Sequence, residues 1–282
     1  MITCNLMGGL GNQLFQIFAT ISYAIKTRNK FVFHNVKTLG GGSTTLRFTY
    51  WNTFLKRLQP FLINEIGPIH VIRENSFEYN ELPLYEMIGR DVLLYGYFQS
   101  YKYFQNNYPT ISRIIGLGQI KDELLKKMNY DDNFLKDVIS LHFRIGDYKK
   151  IQDYHPIMTK EYYHKSLEFI NTKCSNTNFT VMYFCEDNDI IQVNETINDL
   201  SSKFTNFTFI RGENKLEDWE QMVLMSCCHH NIIANSSFSW WGAYFNVWSD
   251  KIVCYPSVWF GEKASHNTSD LCPDNWNKIN VY

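Results

Sequence analysis

Ile2-Thr3-Cys4-Asn5-Leu6-Met7-Gly8-Gly9-Leu10-Gly11-Asn12-Gln13 opens the chain on an apolar run that ends in three glycines within four residues. Beyond it, Leu14, Ile17, Phe18, Ile21, Ala24 and Ile25 recur at helical spacing. Phe31-Val32-Phe33, between Lys30 and His34, then reads as a second strand. Strand, tight glycine turn, helix, strand is the start of a Rossmann-like unit. A second such series begins near residue 137. Strands are expected at 138–143, 179–184, 207–210, 231–234 and 251–255, and helices at 160–171, 217–228 and 238–247. Strands alternating with helices imply a parallel sheet. The stretch from 36 to 136 is less regular: Gly40-Gly41-Gly42-Ser43 marks a flexible loop, 92–98 a strand and 120–128 a helix. The break near 115–137 divides the chain into two facing α/β domains with a cleft between them, 1–125 and 126–282.

With 282 residues, 45% of them hydrophobic and 20% charged, the chain can bury a full core. The net charge of −1 and a pI near 6.7 show no basic face of the kind a nucleic-acid binder carries. No run of about 18 apolar residues is present to cross a bilayer. The first residues lack the basic start of a signal peptide. Seven scattered cysteines, an odd number with no CxxC pair, fit a reducing compartment and argue against a zinc site. The expected setting is the cytoplasm of a bacterial or virus-infected cell.

Three motifs carry chemistry. In the first, Gly9 and Gly11 let the backbone approach a ligand at a helix N-terminus, with Asn12 beside it. The dinucleotide fingerprint fails, because Leu14 holds its third glycine position and His34-Asn35 replaces the acid after strand two. A plain strand–helix turn explains the glycines equally well. The second is His142-Phe143-Arg144-Ile145-Gly146-Asp147-Tyr148. Arg144 offers a planar fork for phosphate oxygens, His142 shares its face of the strand, and Asp147 is placed to fix the arginine. A structural Arg–Asp pair is the bland alternative. The third is Asn235-Ser236-Ser237-Phe238-Ser239-Trp240-Trp241-Gly242. There, Asn235, Ser236, Ser237 and Phe238 lie where a helix N-terminus serves either a cap or a phosphate. The paired tryptophans are more often packing than a sugar platform.

In this order and spacing, the three motifs resemble the α-1,2-fucosyltransferase family, glycosyltransferase family 11, across essentially the whole chain. Residues 225–236 follow its pattern nearly position by position. The resemblance implies a GT-B architecture with an acceptor-side N-terminal domain and a C-terminal domain for GDP-fucose. It implies inverting, metal-independent transfer of L-fucose to a galactosyl 2-hydroxyl of a glycan, with no cofactor. Arg144 would clamp the pyrophosphate and His142 would sit beside the nucleotide. The family's usual second arginine is Ile145 here, a hydrophobe able to pack inward while Arg144 faces the ligand.

A base near the acceptor hydroxyl would aid such a transfer, and Asp153 and His155 are the candidates. His155 is also suited to turning the chain before Pro156. Glu186 and Asp187 are placed to hold the ribose or guanine. The alternatives are a fucosyl transfer of other linkage such as α-1,6, a related GDP-sugar, a non-catalytic GDP-sugar binder, or an NAD oxidoreductase weakened by the broken fingerprint.

Overall fold

The computed structural model describes residues 1–40, 45–67, 69–84, 88–174 and 178–282. The loop expected at Gly41, Gly42 and Ser43 lies outside the described residues. The chain forms two compact units, 1–120 with 266–273, and 121–265 with 274–282.

In the first unit, β1 (Ile2–Cys4) leads through the glycine turn into α1 (Leu10–Lys26). Gly8 takes φ +77°, a left-handed conformation that costs a residue without Cβ little. Buried glutamines of α1 hold the turn. Gln16 Nε2 donates to the carbonyls of Met7 and Asn12, and Gln13 Nε2 to those of Gly8 and Phe48. The sheet order is β1-β7-β6, all parallel, with β6 at His70–Arg73 and β7 at Val92–Tyr95. Around it lie two small pairs: β2 (Phe33–His34) with β5 (Leu62–Ile63), and β3 (Thr38–Leu39) with β4 (Arg47–Phe48). The second expected strand is shorter than its apolar run, since Phe31 makes only an isolated bridge to Ile2. Helices α2 (Tyr108–Ile115) and α3 (Leu117–Met128) follow.

The division expected at 125/126 falls inside α3, while the units part at 120/121. Lys121 explains the shift: its buried ammonium donates to the carbonyls of Phe245 at 2.6 Å and Ser226 at 3.3 Å, both in the second unit. Residues 266–273 also group with the first unit. Asp270 pairs with Lys102 and accepts from the Tyr79 amide at 3.2 Å, and His266 stacks on Phe77.

The second unit is a six-stranded, all-parallel sheet ordered β10-β9-β8-β11-β12-β13. Its elements are α4 (Asp132–Leu135), β8 (Val138–His142), α5 (Lys160–Lys173), β9 (Thr180–Phe184), α6 (Ile190–Lys203), β10 (Thr208–Arg211), α7 (Asp218–Met225), β11 (His230–Ile232), α8 (Ser237–Tyr244), β12 (Val253–Pro256) and β13 (Asn277–Ile279). β8 is buried at every position, as a central parallel strand covered on both faces should be. Ile139 and Leu141 join Val181, Tyr183 and Ile232 in one core with Tyr162, Leu167 and Ile170 of α5 and Val193, Ile197 and Leu200 of α6. The alternate residues face the other way: Asn231 donates to Ser140 Oγ and to the Met225 carbonyl at the end of α7.

Candidate functional site

The strand order locates the site. From β8 the chain steps to β9 and β10 on one side, then returns to place β11 on the other side of β8. Ligands of open α/β sheets bind beyond the carboxyl ends of the strands at such a reversal. His142 closes β8 there, and Asn235 follows β11.

Arg144 lies just past β8. Its guanidinium donates to Glu186 at 2.8 Å and pairs with Asp147, and its Cζ stands 5.0 Å from the centre of the Tyr148 ring. Those two bonds use two of the five guanidinium donors and orient the plane of the rest. Ile145 points the other way: it is 5% exposed and belongs to the core beneath the sheet. Gly146 has φ +25°, and a Cβ there would stand 2.8 Å from the Glu186 carboxylate, so side-chain bulk would displace a partner of Arg144.

Around the arginine the motifs converge. The Tyr148 hydroxyl donates to the Asn235 carbonyl at 3.1 Å, and its ring stacks on His155 with centroids 4.8 Å apart. Asn235 Nδ2 donates to the carbonyls of Pro156 and Trp259. The His142 ring lies 5.6 Å from Phe238, the second residue of α8. Burial, with help from the Arg144 charge, pushes the His142 imidazole down to about 3, so the ring is neutral at physiological pH. Its Nδ1 and the Asn235 Oδ1 are buried without a hydrogen-bond partner among the described residues. Buried polar atoms left in this way ask for an explanation, and a ligand offering donors is one. Ser236 caps α8, its hydroxyl accepting from the Phe238 amide at 3.3 Å.

Glycosyl transferase family 11 matches residues 70–280, a span that holds the arginine motif and the α8 motif. The chain belongs to glycosyl transferase family 11. It is 28% identical to an α-1,2-colitosyltransferase of Escherichia coli, over 99% of each chain. It is 29% identical to the O-antigen biosynthesis glycosyltransferase WbnK of Escherichia coli, over 98% of this chain and 99% of the relative. Among solved structures, a mutant of Arabidopsis thaliana FUT1 in complex with GDP aligns at 9% identity and a TM-score of 0.47, covering 96% of this chain and 74% of that one.

Other residues singled out in this family 11 sequence have partners of their own. Gly9, Gly11 and Asn12 belong to the first unit, where Gly9 is the N-cap of α1 and Asn12 Oδ1 accepts from Gln99 at 2.8 Å. Asp187 pairs with Arg211. Asp153 is exposed and held by Lys263 at 2.6 Å. The His155 ring is packed between Tyr148 and Phe260. Among the described residues no group of three or more His, Cys, Asp or Glu side chains is placed to hold a metal ion. No helix is long and apolar enough to cross a membrane, again among the described residues.

Two residues support the site in roles that the sequence does not assign to them. Tyr148 sat inside the arginine motif without a role. Asp189, 2% exposed, accepts from the Gly146 amide at 2.7 Å and from Lys149 at 2.7 Å, pinning the loop that carries Arg144. The available signal was an acid just after a buried strand, which sequence alone assigns to helix capping. Asp189→Ala would leave the Gly146 amide and the Lys149 ammonium without it. We expect about 1.5–3 kcal/mol of lost stability in urea unfolding, the usual worth of a hydrogen bond to a charged group, together with weaker nucleotide binding.

Proposed function

We propose that the chain is an inverting, metal-independent transferase that moves L-fucose from GDP-β-L-fucose to a galactosyl 2-hydroxyl of a glycan. The observation that carries the reading is Arg144, fixed by two carboxylates beyond the carboxyl end of β8, at the reversal of strand order. The acceptor oxygen bonds to C1 of the sugar as the C1–O bond to the diphosphate breaks, and negative charge grows on the leaving group. A pre-oriented guanidinium and the amide end of α8 suit that charge without reorganising during the step. Neutral His142 and the Oδ1 of Asn235 are available to the nucleoside. Ile145 subtracts a second arginine from the motif but leaves Arg144 in place.

The name of the colitosyl relative brings in a second donor, since colitose is fucose without its 3-hydroxyl. The deciding experiment measures GDP release from GDP-fucose and from GDP-colitose, with EDTA present, over a panel of galactose-terminated acceptors. Acceptor-dependent release with GDP-fucose leading is the expected result. Preference for GDP-colitose would move the donor, dependence on added metal would remove the metal-free mechanism, and GDP binding without release would leave a binding protein.

A further inference from the structure

Helix α5 sends two successive tyrosines, Tyr162 and Tyr163, into the core of the second unit. Both rings are buried, and they meet edge-on with centroids 5.1 Å apart. A phenylalanine ring would fill the same space, and a phenol hydroxyl is costly in an apolar core unless it finds a partner. Both hydroxyls find theirs at the ends of strands. Tyr163 donates to the carbonyl of His142, the last residue of β8, at 3.2 Å. Tyr162 donates to the carbonyl of Ile233, the first residue after β11, at 2.6 Å. Its oxygen also lies 3.2 Å from the Cys254 carbonyl of β12.

These are the points where strand pairing stops. The β8–β11 ladder ends with Leu141 opposite Ile232, and the β11–β12 ladder with Ile232 opposite Cys254. On its other side β8 stays joined to β9 for longer, through the Phe143 amide and the Phe184 carbonyl at 2.8 Å. β8 therefore parts from β11 sooner than from β9, at the reversal of strand order where open sheets bind their ligands. Parting strands leave buried carbonyls that need donors, and the two phenols supply them. Arg144 lies two residues beyond His142, and Asn235 two residues beyond Ile233. Each hydroxyl thus fixes the chain just ahead of a residue that the site uses.

We propose that Tyr162 and Tyr163 are positioning residues of the transfer, whose hydroxyls hold the β8–β11 crevice open and set the peptides that carry Arg144 and Asn235. The assignment rests on the reaction proposed above. Without the Tyr163 hydroxyl, the His142 carbonyl must seek an amide on the β11 side, and Arg144 moves with it. The helix that delivers the phenols is itself fixed. Thr159 caps α5, accepting from the Tyr162 amide at 3.3 Å and donating to the Val281 carbonyl at 2.9 Å. The Tyr163 ring also packs on Phe143, centroids 4.4 Å apart, directly before Arg144. Burial pushes the Tyr163 phenol well above its ordinary range, so it stays a donor at every working pH.

The test measures GDP affinity, kcat with the preferred GDP-sugar and urea unfolding for the parent chain, Tyr162→Phe, Tyr163→Phe and Ile170→Val. Ile170 belongs to the same core, two turns beyond Tyr163 on α5, and its shortening is the control for lost packing. Tyr162→Phe and Tyr163→Phe should each weaken GDP binding about 10-fold and lower kcat roughly 10- to 100-fold, as a site displaced by about an ångström does. Ile170→Val should lose stability to a similar extent and keep parental GDP affinity and kcat. Affinity is read on folded molecules, so a merely structural role would leave all three variants at the parental value. Parental affinity and kcat in the two hydroxyl-less variants overturn the assignment, and so does an equal loss in Ile170→Val. Should one hydroxyl-less variant fail to fold, the other decides by the same readings. A parent that binds GDP but transfers from no GDP-sugar overturns the reaction itself, and one that binds no GDP overturns the nucleotide site, each taking the role of the hydroxyls with it.

Discussion

Arg144→Ala is expected to lower transfer about 100- to 1,000-fold, the usual consequence of removing one pre-oriented group that stabilises developing negative charge. The geometry argues for this size. Glu186 and Asp147 hold the guanidinium in one plane, and Tyr148 supports it from one side. Little reorganisation is then needed when charge reaches the diphosphate. The effect should fall mainly on kcat, with a smaller loss of GDP affinity, because the leaving group carries more charge in the transition state than before it. Arg144→Lys should recover little. An ammonium is a point charge and cannot satisfy Glu186, Asp147 and a phosphate from one plane. Stability should change little in either variant, since both carboxylate partners are about half exposed and surface pairs contribute up to about 1 kcal/mol. Steady-state kinetics beside urea unfolding separate the two quantities. A variant that kept wild-type kcat would place the diphosphate elsewhere on this sheet.

The legibility of this site followed from where its information lies. Arg144 and Asp147 follow β8, and Asn235 and Ser236 follow β11 and the apolar Ile232-Ile233-Ala234; both strands are buried throughout, and apolar runs and glycine placement mark their ends in the sequence. Ile145 was readable for the same reason, because its neighbour's direction fixes its own. What the sequence hid depends on contacts far apart in the chain. Asp189 gains its role from the Gly146 amide, 43 residues away. The Glu74 carboxylate is held by the amides of Tyr97 and Phe98, in a turn whose left-handed residue is that phenylalanine and which no asparagine announces.

The fold shows the same split. The apolar strands at 138–142 and 180–184 appear close to their expected bounds. β13, Asn277–Ile279, went unseen because two of its three residues are polar, and pairing with β12 makes it a strand. Helix α6 is marked in the sequence only by the acids at 187 and 189 that open it, since Val193, Ile197 and Leu200 of its buried stripe are scattered among Asn, Asp, Glu and Ser. The return of residues 266–273 to the first unit rests on Asp270 and His266, whose partners lie about 190 residues earlier.

Trp240→Ala is expected to cost about 3–5 kcal/mol of stability, the range for truncating a fully buried aromatic. The Trp240 ring is 0% exposed, stacks on Tyr244 at 4.6 Å and 14°, and meets Trp241 edge-on at 5.0 Å and Trp276 at 5.4 Å. Such a ring buries roughly 150–250 Å². Helix α8 has only eight residues, too few to hold itself together, so packing of this kind keeps its amide end in position beside Asn235. The motif Ser239-Trp240-Trp241-Gly242 is therefore a packing device that supports the site from below, and sugar stacking has no exposed face to use. Gly242 fits the same account, since a Cβ there would stand 3.0 Å from the Met225 side chain. Activity lost in Trp240→Ala should track the unfolded fraction, with the acceptor KM unchanged in the folded molecules. Urea unfolding and acceptor kinetics on one preparation decide the matter: unchanged stability with a raised acceptor KM would make Trp240 a sugar platform after all.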